Sequence, residues 1–446
     1  MKYLREIFDD WLTRAAGIVF VLIVALVIFN IYSDLPEAYP LFGVFNFSMV
    51  PVLFVVGGVI FVLAILKSQM GAQVGEWHRR ATEKLMFLLF AGAIGIGLLV
   101  AGGYQLVDFS DSTSFCGRLC HEVMYPEYTT YQASPHSRVR CAECHVGSGA
   151  DYLVKSKVSG IPLVFNTITG TYHRPITTPV ENLRPARETC EQCHRPEKFS
   201  GDLVRIHTTF ASDEANTRRT DTRVLRVGGG DSRVARDIHW HIAASVWYLP
   251  LDEGRQQIGW VGVENNNGKL TEYIDPQKVA EITPKRIEDE KRLMDCMDCH
   301  NRATHIFRSP NELIDSALSL NEIDSSLPYI KREGLKALDP PNASLAQAVA
   351  KVEAIKDFYR TSYPDTYQRK TVAIDSSIEK LKDIARLTTF PAMKVDWKTY
   401  RNNAGHQDSP GCLRCHGKLV AESEGQQGKA IDADCTSCHY FELVIK

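Results

Sequence analysis

The sequence predicts a membrane-anchored protein with three N-terminal transmembrane helices, followed by a mostly helical and irregular domain that carries a β-rich insertion. Three observations predict this fold class. Three apolar stretches of near-spanning length lie before residue 105. All twelve cysteines then fall into six short pairs, each followed directly by a histidine. Short strand and turn signals cluster between the third and fourth of these pairs.

Composition excludes several classes of protein. The chain has 446 residues, with a hydrophobic fraction of 44% and a charged fraction of 23%, which are ordinary for globular domains. A formal net charge of −2 provides no basic field for nucleic acid. A disulfide framework is excluded because disulfide bonds do not need a histidine after each cysteine pair. The sequence contains no nucleotide-binding fingerprint, P-loop or nucleophile triad.

The apolar stretches are long enough to cross a membrane. They are Ala15–Tyr32, Met49–Leu66 and Leu85–Tyr104. As helices of 18 to 20 residues, they would be roughly 27–30 Å long, which matches a hydrocarbon core. The first could instead be a cleaved signal peptide. Asp9 and Asp10 are unusual in a basic leader and no clear cleavage site follows, so a retained span is favoured.

Loop charges predict the orientation of these spans. The first loop, Ser33 to Ser48, has no Lys or Arg, whereas the N-terminal tail and the second loop have several. These positive residues are Lys2, Arg5, Arg14, Lys67, Arg79, Arg80 and Lys84. The positive-inside rule therefore places the N-terminus in the cytoplasm and the chain after Tyr104 on the periplasmic side of a bacterial inner membrane. His78, in the second loop, is interpreted as a solvated or headgroup-level residue.

Each cysteine pair has the form that attaches c-type haem. Five motifs are C-x-x-C-H, and the first has one extra residue between its cysteines. Two thiols add to the two vinyl groups of one porphyrin, and the adjacent histidine binds the iron. The attachment cysteines are Cys116, Cys120, Cys141, Cys144, Cys190, Cys193, Cys296, Cys299, Cys412, Cys415, Cys435 and Cys438. The proximal histidines are His121, His145, His194, His300, His416 and His439. The sequence thus predicts a haem-packed domain with six covalently bound c-type haems.

Two alternatives apply to these motifs. Paired C-x-x-C units also build zinc sites, but zinc does not require a histidine after each pair, and here one follows all six. The longer first motif could be a lost site. Its position at the head of the series favours a bound haem with a distorted attachment.

Histidines outside the motifs are candidates for the second axial position of each iron. Of 14 histidines, eight remain after the six proximal ones, and seven of these follow the spans. The ligand candidates are His136, His207, His239, His241, His305 and His406. If residues 238–242 form a strand, His239 and His241 share one face and serve neighbouring haems, or one is a ligand and the other a supporting donor. His173, beside Arg174 and Pro175, is interpreted as a plain loop residue.

Further features surround the first three motifs. A predicted span ends just before the first motif, and Met124 follows it closely. Pro126-Glu127-Tyr128, Ser134-Pro135-His136 and a Cys-Ala-Glu-Cys-His-Val second motif come next, and in the fourth motif His305 follows His300 by five residues. In these features the chain resembles the NapC/NirT family of membrane-anchored quinol dehydrogenases. The extra motifs make it similar to the larger inner-membrane multihaem cytochromes of metal-respiring bacteria.

The resemblance implies roles for three residues near the motifs. His136 would bind the iron of motif four, and His305 the iron of motif three. Met124 would bind the first iron, whose other face would lie beside a quinol pocket. Met124 lies three residues after His121, one further than in the family, and the first motif is longer, so His121 remains the alternative ligand.

The resemblance also implies a quinol site. Lys157, with Lys155 close by, would lie near a quinol oxygen and stabilise the charge that appears as protons leave. A carboxylate would accept those protons, and Asp151 is the substitute for the acidic residue of the family. The alternative is that both lysines lie at the headgroup level on a surface helix.

Motif spacing divides the chain into six parts. These are a transmembrane anchor at 1–105, a haem core with motifs one to three at 106–200, a β-rich insertion at 201–292, motif four and His305 at 293–308, a helical spacer at 309–400, and a dihaem segment at 401–446. In the insertion, strands at 224–227, 238–242, 256–263 and 269–274 are predicted, the last two joined by an Asn-rich hairpin turn. In the spacer, Ser309-Pro-Asn-Glu312 has the capping-box form, and helices are predicted over Leu345–Tyr359 and from Ser376.

These features favour quinol oxidation as the function. We expect a periplasmic-facing cytochrome that takes electrons from menaquinol or ubiquinol in the lipid membrane and passes them along its haems to a periplasmic cytochrome or reductase. One alternative is a haem-wire subunit of a larger membrane redox complex, which three spans make credible. Another is a terminal reductase that uses an open iron face. The sequence leaves the direction of electron flow and the oligomeric state open.

Overall fold

The computed structural model describes residues 18, 21, 57–59, 97, 102–119, 121–147, 150–180, 184–199, 201–229, 236–264, 270–339, 341–406, 409–422 and 428–440, with only the backbone at 119, 121 and 150–154. The chain forms two compact units, Met1–Ser112 and Thr113–Lys446. In the first unit, residues 102–111 are helical. Apart from isolated positions, the three predicted spans and His78 lie outside the described residues. Within the described residues, no helix combines the length and the apolar character needed to cross a membrane.

The second unit begins with a π-helix, Phe115–Leu119, that carries the start of the first motif. Its α-helices are α1 His121–Gln132, α2 Cys141–His145, α3 Ala150–Thr169, α4 Ala186–Cys190, α5 Trp240–Ala243, α6 Pro284–Glu290, α7 Cys296–Cys299, α8 Pro310–Ser319, α9 Ile330–Leu338, α10 Leu345–Glu353, α11 Ile355–Ser362, α12 Pro364–Arg369 and α13 Thr371–Thr388. Its strands are β1 Leu203–Phe210, β2 Arg218–Leu225, β3 Val246–Pro250, β4 Ile258–Glu264, β5 Leu270–Ile274, β6 Arg292–Leu293, β7 Val420–Ala421 and β8 His439–Tyr440.

Two antiparallel sheets form in and around the predicted insertion. One has the strand order β1-β2-β8 and the other β6-β3-β4-β5-β7. The hairpin predicted by the Asn-rich turn is confirmed, since β4 pairs with β5 from Trp260↔Ile274 to Glu264↔Leu270. The C-terminal strands β7 and β8 each pair with a strand of the insertion, so motifs five and six fold against it.

The strand predicted at residues 238–242 is wrong. His239 precedes the short helix α5, and its backbone is helical rather than extended. Asp237 adopts a positive φ of 62°, and its carbonyl accepts a hydrogen bond from Trp240 N at 3.2 Å. This local turn reverses the chain directly before the two histidines, which therefore do not share a strand face. The strand predicted at 224–227 forms earlier, as the end of β2.

The larger sheet has two apolar faces. On one face, Val246, Tyr248, Ile258 and Val261 pack with Leu419 and with Cys415 of motif five. On the other face, Leu249, Trp260 and Ile274 pack with α6 and the turn before it. Because side chains alternate along a strand, the sheet packs one of its two faces against motif five.

Helices α8 to α13 build the largest apolar core in the described residues. Its centre includes Ile314, Leu318, Ile330, Ile374 and Leu381, all fully or almost fully buried. The capping box predicted at Ser309 is confirmed, with Ser309 and Glu312 side chains each bonded to the other's backbone. The segment predicted as one helix over 345–359 is two, and α13 begins at Thr371 rather than near Ser376. The predicted spacer is therefore a packed helical bundle.

A buried ion pair joins this bundle to the β1-β2 hairpin. Lys331 Nζ lies 2.6 Å from Asp315 Oδ1, and both side chains are about 5% exposed. Lys331 Nζ also donates to the Phe210 carbonyl, and Phe210 N donates to Asp315 Oδ1. From the hairpin turn, Asn216 Nδ2 donates to the carbonyls of Ser325 and Leu327. Every charge in this contact therefore has a partner, as a buried pair requires.

Candidate functional site

The cysteine motifs lie on short helical turns. Motif two forms α2, motif four begins on α7, and motifs five and six begin on 3₁₀ turns at Gly411–Arg414 and Cys435–Ser437. In a helical turn, residues i, i+3 and i+4 point to one side. The C-x-x-C-H spacing therefore directs two thiols and one imidazole toward the same face.

Four proximal histidines each face a histidine from a distant part of the chain. The ring centroids are 6.3 Å apart for His145 and His305, 6.0 Å for His136 and His194, 5.8 Å for His241 and His416, and 6.0 Å for His406 and His439. In the described ranges, no group of three or more His, Cys, Asp or Glu side chains is arranged to hold a metal ion. The imidazoles thus meet in pairs.

The spacing of these pairs fits one iron between two imidazoles. A metal–imidazole bond of about 2 Å on each side, plus roughly 1 Å from ring nitrogen to ring centre, separates two opposed rings by about 6 Å. All four observed separations lie close to this value. The residues present therefore fit haem groups with two histidine ligands.

Backbone carbonyls orient several of the paired rings. His305 Nδ1 lies 2.9 Å from Glu127 O, and His241 Nδ1 lies 2.9 Å from Ile238 O. His136 Nδ1 is 3.2 Å from Ala303 O, and His416 Nδ1 is 2.5 Å from Asp432 O. When Nδ1–H donates to a carbonyl, Nε2 keeps its lone pair for a metal. These contacts thus select the ligating tautomer and fix the ring plane.

Burial favours the neutral form of four of the paired histidines. It lowers the pKa of His305 to about 4, and it lowers the pKa of His145, His241 and His439 as well. A neutral imidazole is the form that binds a metal, so no proton has to be displaced near neutral pH.

Motif four provides a candidate for a fifth histidine pair, between His239 and its proximal histidine His300. Burial and the nearby His300 lower the pKa of His239, which places the two imidazoles within electrostatic range. His239 Nδ1 is buried and makes no hydrogen bond, while the His239 ring packs 4.9 Å from Phe199. His239 is thus near motif four while His241 faces motif five. Whether the two serve neighbouring haems, or one is a ligand and the other a supporting donor, stays a prediction.

The pairing of His136 and His305 differs from the one that the resemblance implied. His136 faces motif three instead of motif four, and His305 faces motif two instead of motif three. The reason is a crossing of their two segments, since Ser134 Oγ bonds Thr304 Oγ1 at 2.7 Å and His136 bonds the Ala303 carbonyl. This crossing shifts each histidine to the preceding motif.

Thiols of consecutive motifs lie close to one another. A hydrogen bond with Cys116 lowers the pKa of the Cys141 thiol to about 7, and one with Cys296 lowers the pKa of Cys190 to about 6. Burial and then the charge of a neighbouring thiol raise the pKa of three further cysteines. The cysteines with a raised pKa are Cys144 beside Cys190, Cys299 beside Cys412, and Cys438 beside Cys412. The motifs are therefore neighbours in the order one to six.

Two other free histidines in the described residues do not face a motif histidine in this way. His207 lies on β1 opposite Asp221, with Nδ1 3.3 Å from Asp221 Oδ1, on a half-exposed face. His173 lies in an exposed turn after α3. Of the ligand candidates from the sequence, His207 is the one whose surroundings favour a surface ion pair instead.

The turn that holds His173 contacts the start of α1. Arg174 Nη2 lies 3.4 Å from Glu122 Oε1, and Glu122 follows His121 in the sequence. Tyr172 packs against the same apolar cluster as Met124 and Tyr125. The structure thus brings His173, interpreted from the sequence as a plain loop residue, into the neighbourhood of motif one. The side chains of Cys120 and His121 lie outside the described residues.

The residues of the predicted quinol site lie on or at the start of α3. Lys155 is exposed and Lys157 half-buried, and the side chain of Asp151 lies outside the described residues. Beyond the lysines, α3 has a row of exposed apolar side chains, among them Ile161, Phe165 and Ile168, the last 80% exposed. A helix with this surface suits an apolar environment better than water.

A buried polar cluster lies beside His305 and was not found from the sequence. Arg302 Cζ lies 4.2 Å over the ring of Tyr400, and burial raises the pKa of the Glu127 carboxyl despite the nearby Arg302. Burial, and then the charge of Glu127, raises the pKa of Tyr400 to about 12. The only sequence signal was Glu127 inside the Pro-Glu-Tyr match. This cluster surrounds Glu127, whose backbone carbonyl orients the His305 ring.

Comparison with known proteins agrees with this geometry. Residues 78–181 match the family model for the N-terminal region of the NapC/NirT cytochrome c family. The cytochrome c-type protein ImcH of Geobacter sulfurreducens is 42% identical over 362 residues, which is 80% of this chain and 70% of that protein. No solved structure matches the chain. Such identity over most of both chains, with the motifs and imidazole pairs above, shows that the chain belongs to the NapC/NirT family of membrane multihaem c-type cytochromes, which transfer electrons by covalently bound haem.

Proposed function

We propose that the protein oxidises a membrane quinol and delivers the electrons to a periplasmic redox partner. The observation that carries the proposal is the surface of helix α3, which combines exposed apolar side chains with Lys155 and Lys157 near its start. Motif one directly follows the predicted anchor in sequence. In the described residues, motifs two to six each have a non-motif histidine opposite or near the proximal one, which suits these motifs to carry electrons onward.

The order of the motifs supplies the route. Haem, when bound, provides the one-electron carrier at each motif. The neighbouring thiols run from Cys116 and Cys141 through Cys190 and Cys296 to Cys299 and Cys412. Cys412 and Cys438 then connect motifs five and six. We therefore place electron entry at motif one and electron exit at motif six, with six haems between the membrane and the partner.

Helix α3 supplies the features that a quinol requires. A quinol combines an apolar tail with a polar ring, and α3 combines exposed Ile161, Phe165 and Ile168 with Lys155 and Lys157 near its start. A lysine cation beside a quinol oxygen stabilises the negative charge that develops as its proton leaves. Together with the loop charges before Tyr104, this helix supports a domain on the periplasmic side of the inner membrane.

The first prediction concerns quinol oxidation. Lys157→Ala is expected to slow haem reduction by a menaquinol analogue by on the order of 100-fold, as loss of one charge-stabilising donor does. The purified, oxidised protein in detergent is mixed with the quinol while haem absorbance is recorded. Lys278→Ala, which removes an exposed lysine paired with Glu281, serves as the control.

Reduction by dithionite separates the remaining outcomes. If quinol fails to reduce the parent protein while dithionite reduces it fully, quinol oxidation is refuted and a haem-wire subunit or a terminal reductase takes its place. If quinol reduces the Lys157→Ala protein as fast as the parent, the assignment of Lys157 is refuted and that of quinol oxidation stands.

The second prediction concerns the first iron. Met124 follows motif one closely in sequence and is favoured by the family pattern, while His173 precedes Arg174, which pairs with Glu122 at the start of α1. We expect Met124→Leu to remove a methionine–iron charge-transfer band from the near-infrared spectrum and His173→Ala to leave it intact. A parent protein without that band, whose spin state changes only in His173→Ala, would assign the ligand to His173.

A further inference from the structure

A polar contact joins motif four to motif five. In motif five, Arg414 is the second of the two residues between the cysteines, and its guanidinium group is half-buried. Its Nε donates to Gly411 O at 2.9 Å within its own turn. Its Nη2 donates to Asp298 O of motif four at 2.7 Å, and its Nη1 donates to Arg255 O at 2.7 Å. One side chain thus connects motif five to motif four and to the turn before β4.

The acceptor in motif four is itself held rigidly. Asp298 is buried, and its Oδ2 accepts from Asp295 N at 2.8 Å in the capping box of α7. Its Oδ1 accepts from Tyr248 Oη at 2.5 Å and lies 3.7 Å from Arg255 Nη1. Arg255 therefore offers its carbonyl to Arg414 and its side chain to Asp298. The three residues form a closed set of contacts across two motifs and one loop.

A further residue reinforces the same carbonyl. Asn403 Nδ2 donates to Asp298 O at 3.2 Å, and Asn403 N donates to Asn301 Oδ1 at 2.9 Å. The Asp298 carbonyl therefore accepts from two side chains that lie outside motif four, those of Arg414 and Asn403.

We propose that Arg414 is a positioning residue that fixes motif five against motif four and so sets the mutual arrangement of the two haems that these motifs hold. The inference rests on the proposed haem route, because it concerns one step along it. Arg414 contacts neither iron nor substrate and acts through the backbone of both motifs. Electron transfer depends steeply on separation, so a loosened contact would slow this step more than any other.

The chemistry of the side chain explains why arginine is needed. A planar guanidinium can donate to two carbonyls and to its own turn at once, whereas a lysine ammonium is a compact charge on a flexible stem. The proposal therefore predicts that Arg414→Lys fails like Arg414→Gln, although only the glutamine variant loses the positive charge. A role through charge alone predicts that lysine substitutes well.

Circular dichroism in the Soret region tests the proposal, because neighbouring haems give a paired signal that depends on their arrangement. We expect both Arg414→Lys and Arg414→Gln to lose part of this signal while mass spectrometry still shows six haems. Hydrogen exchange at residues 298–301 and 411–414 is expected to rise in both variants. Leu413→Ala, the adjacent and exposed position of the same motif, serves as the matched control.

Three results decide the outcome. An unchanged Soret signal in both Arg414 variants overturns the proposal, and so does a normal signal in the lysine variant alone. If a motif five variant loses its haem, Asn403→Ala provides the second test, since Asn403 lies outside both motifs and shares the Asp298 acceptor. A smaller change of the same kind is then expected, and no change overturns the proposal. Reduction is by dithionite throughout, so a failure of quinol oxidation does not affect the result.

Discussion

Replacing His305 by alanine is expected to convert one haem from low-spin to high-spin iron. The reason is that His305 faces His145 at a ring separation of 6.3 Å and has its Nδ1 engaged by the Glu127 carbonyl. Its removal leaves an iron with one protein ligand. Ferric electron paramagnetic resonance measures the high-spin fraction. His305→Met is expected to stay low-spin and to raise that haem's potential by on the order of 100 mV, well within the roughly 0.8 V that axial ligands span.

The same variant distinguishes the two possible pairings of His305. The observed geometry assigns it to motif two, whereas the family resemblance implied motif three. Combining His305→Ala with Cys190→Ala and Cys193→Ala removes the haem of motif three. The high-spin signal should persist in the combined variant. Disappearance of the high-spin signal would assign His305 to motif three. The control is His207→Ala, which changes the histidine paired with Asp221 and should give no high-spin signal.

Breaking the Lys331–Asp315 pair is expected to produce the largest loss of stability. Lys331→Met leaves the buried Asp315 carboxylate without its cation, which typically lowers the free energy of unfolding by about 3–5 kcal/mol. The Phe210 carbonyl at the end of β1 loses its donor from the helical bundle at the same time. Urea unfolding followed by far-ultraviolet circular dichroism measures the change.

Two further variants provide the comparison. The double variant Lys331→Met with Asp315→Leu removes both charges and is expected to recover much of the loss. Arg360→Ala breaks an exposed pair with Asp357, whose side chains are 58% and 68% exposed, and should change stability by less than about 1 kcal/mol. A Lys331→Met protein as stable as Arg360→Ala would show that the buried pair contributes little.

Local patterns in the sequence predicted the features that depend on local chemistry. The C-x-x-C-H spacing predicts the turn that carries each motif, and Ser309 with Glu312 predicts a helix start, because both depend on neighbours within four residues. The Asn-rich turn before Leu270 predicts the β4-β5 hairpin for the same reason. Leu345–Tyr359 was predicted as one helix, but the structure has two helices that meet at Ala354. Both helices carry apolar residues at the same helical spacing, so the sequence pattern does not reveal the break between them.

The pairing of histidines could not be predicted from local patterns. His136 and His305 are 169 residues apart in sequence, and the crossing of their segments depends on Ser134, Thr304 and Ala303, none of which has a recognisable spacing. His239 and His241 have strand-like alternation, but the turn at Asp237 overrides it. The Arg414 contact is equally hidden, because the residues between two motif cysteines carry no signal for haem attachment. Long-range hydrogen bonds decide the first and third cases, and a local turn decides the second.

The two short C-terminal strands have a consequence for the biogenesis of the protein. Strands β7 and β8, of two residues each, complete sheets whose other strands lie about 130 to 240 residues earlier in the chain. During synthesis from the N-terminus, β5 and β2 therefore each keep an unpaired edge until the last two motifs emerge. A chain that stops short of Val420 would leave both edges open to pairing with other strands. The same few C-terminal residues therefore carry the last haem motifs and cover the strand edges that would otherwise aggregate.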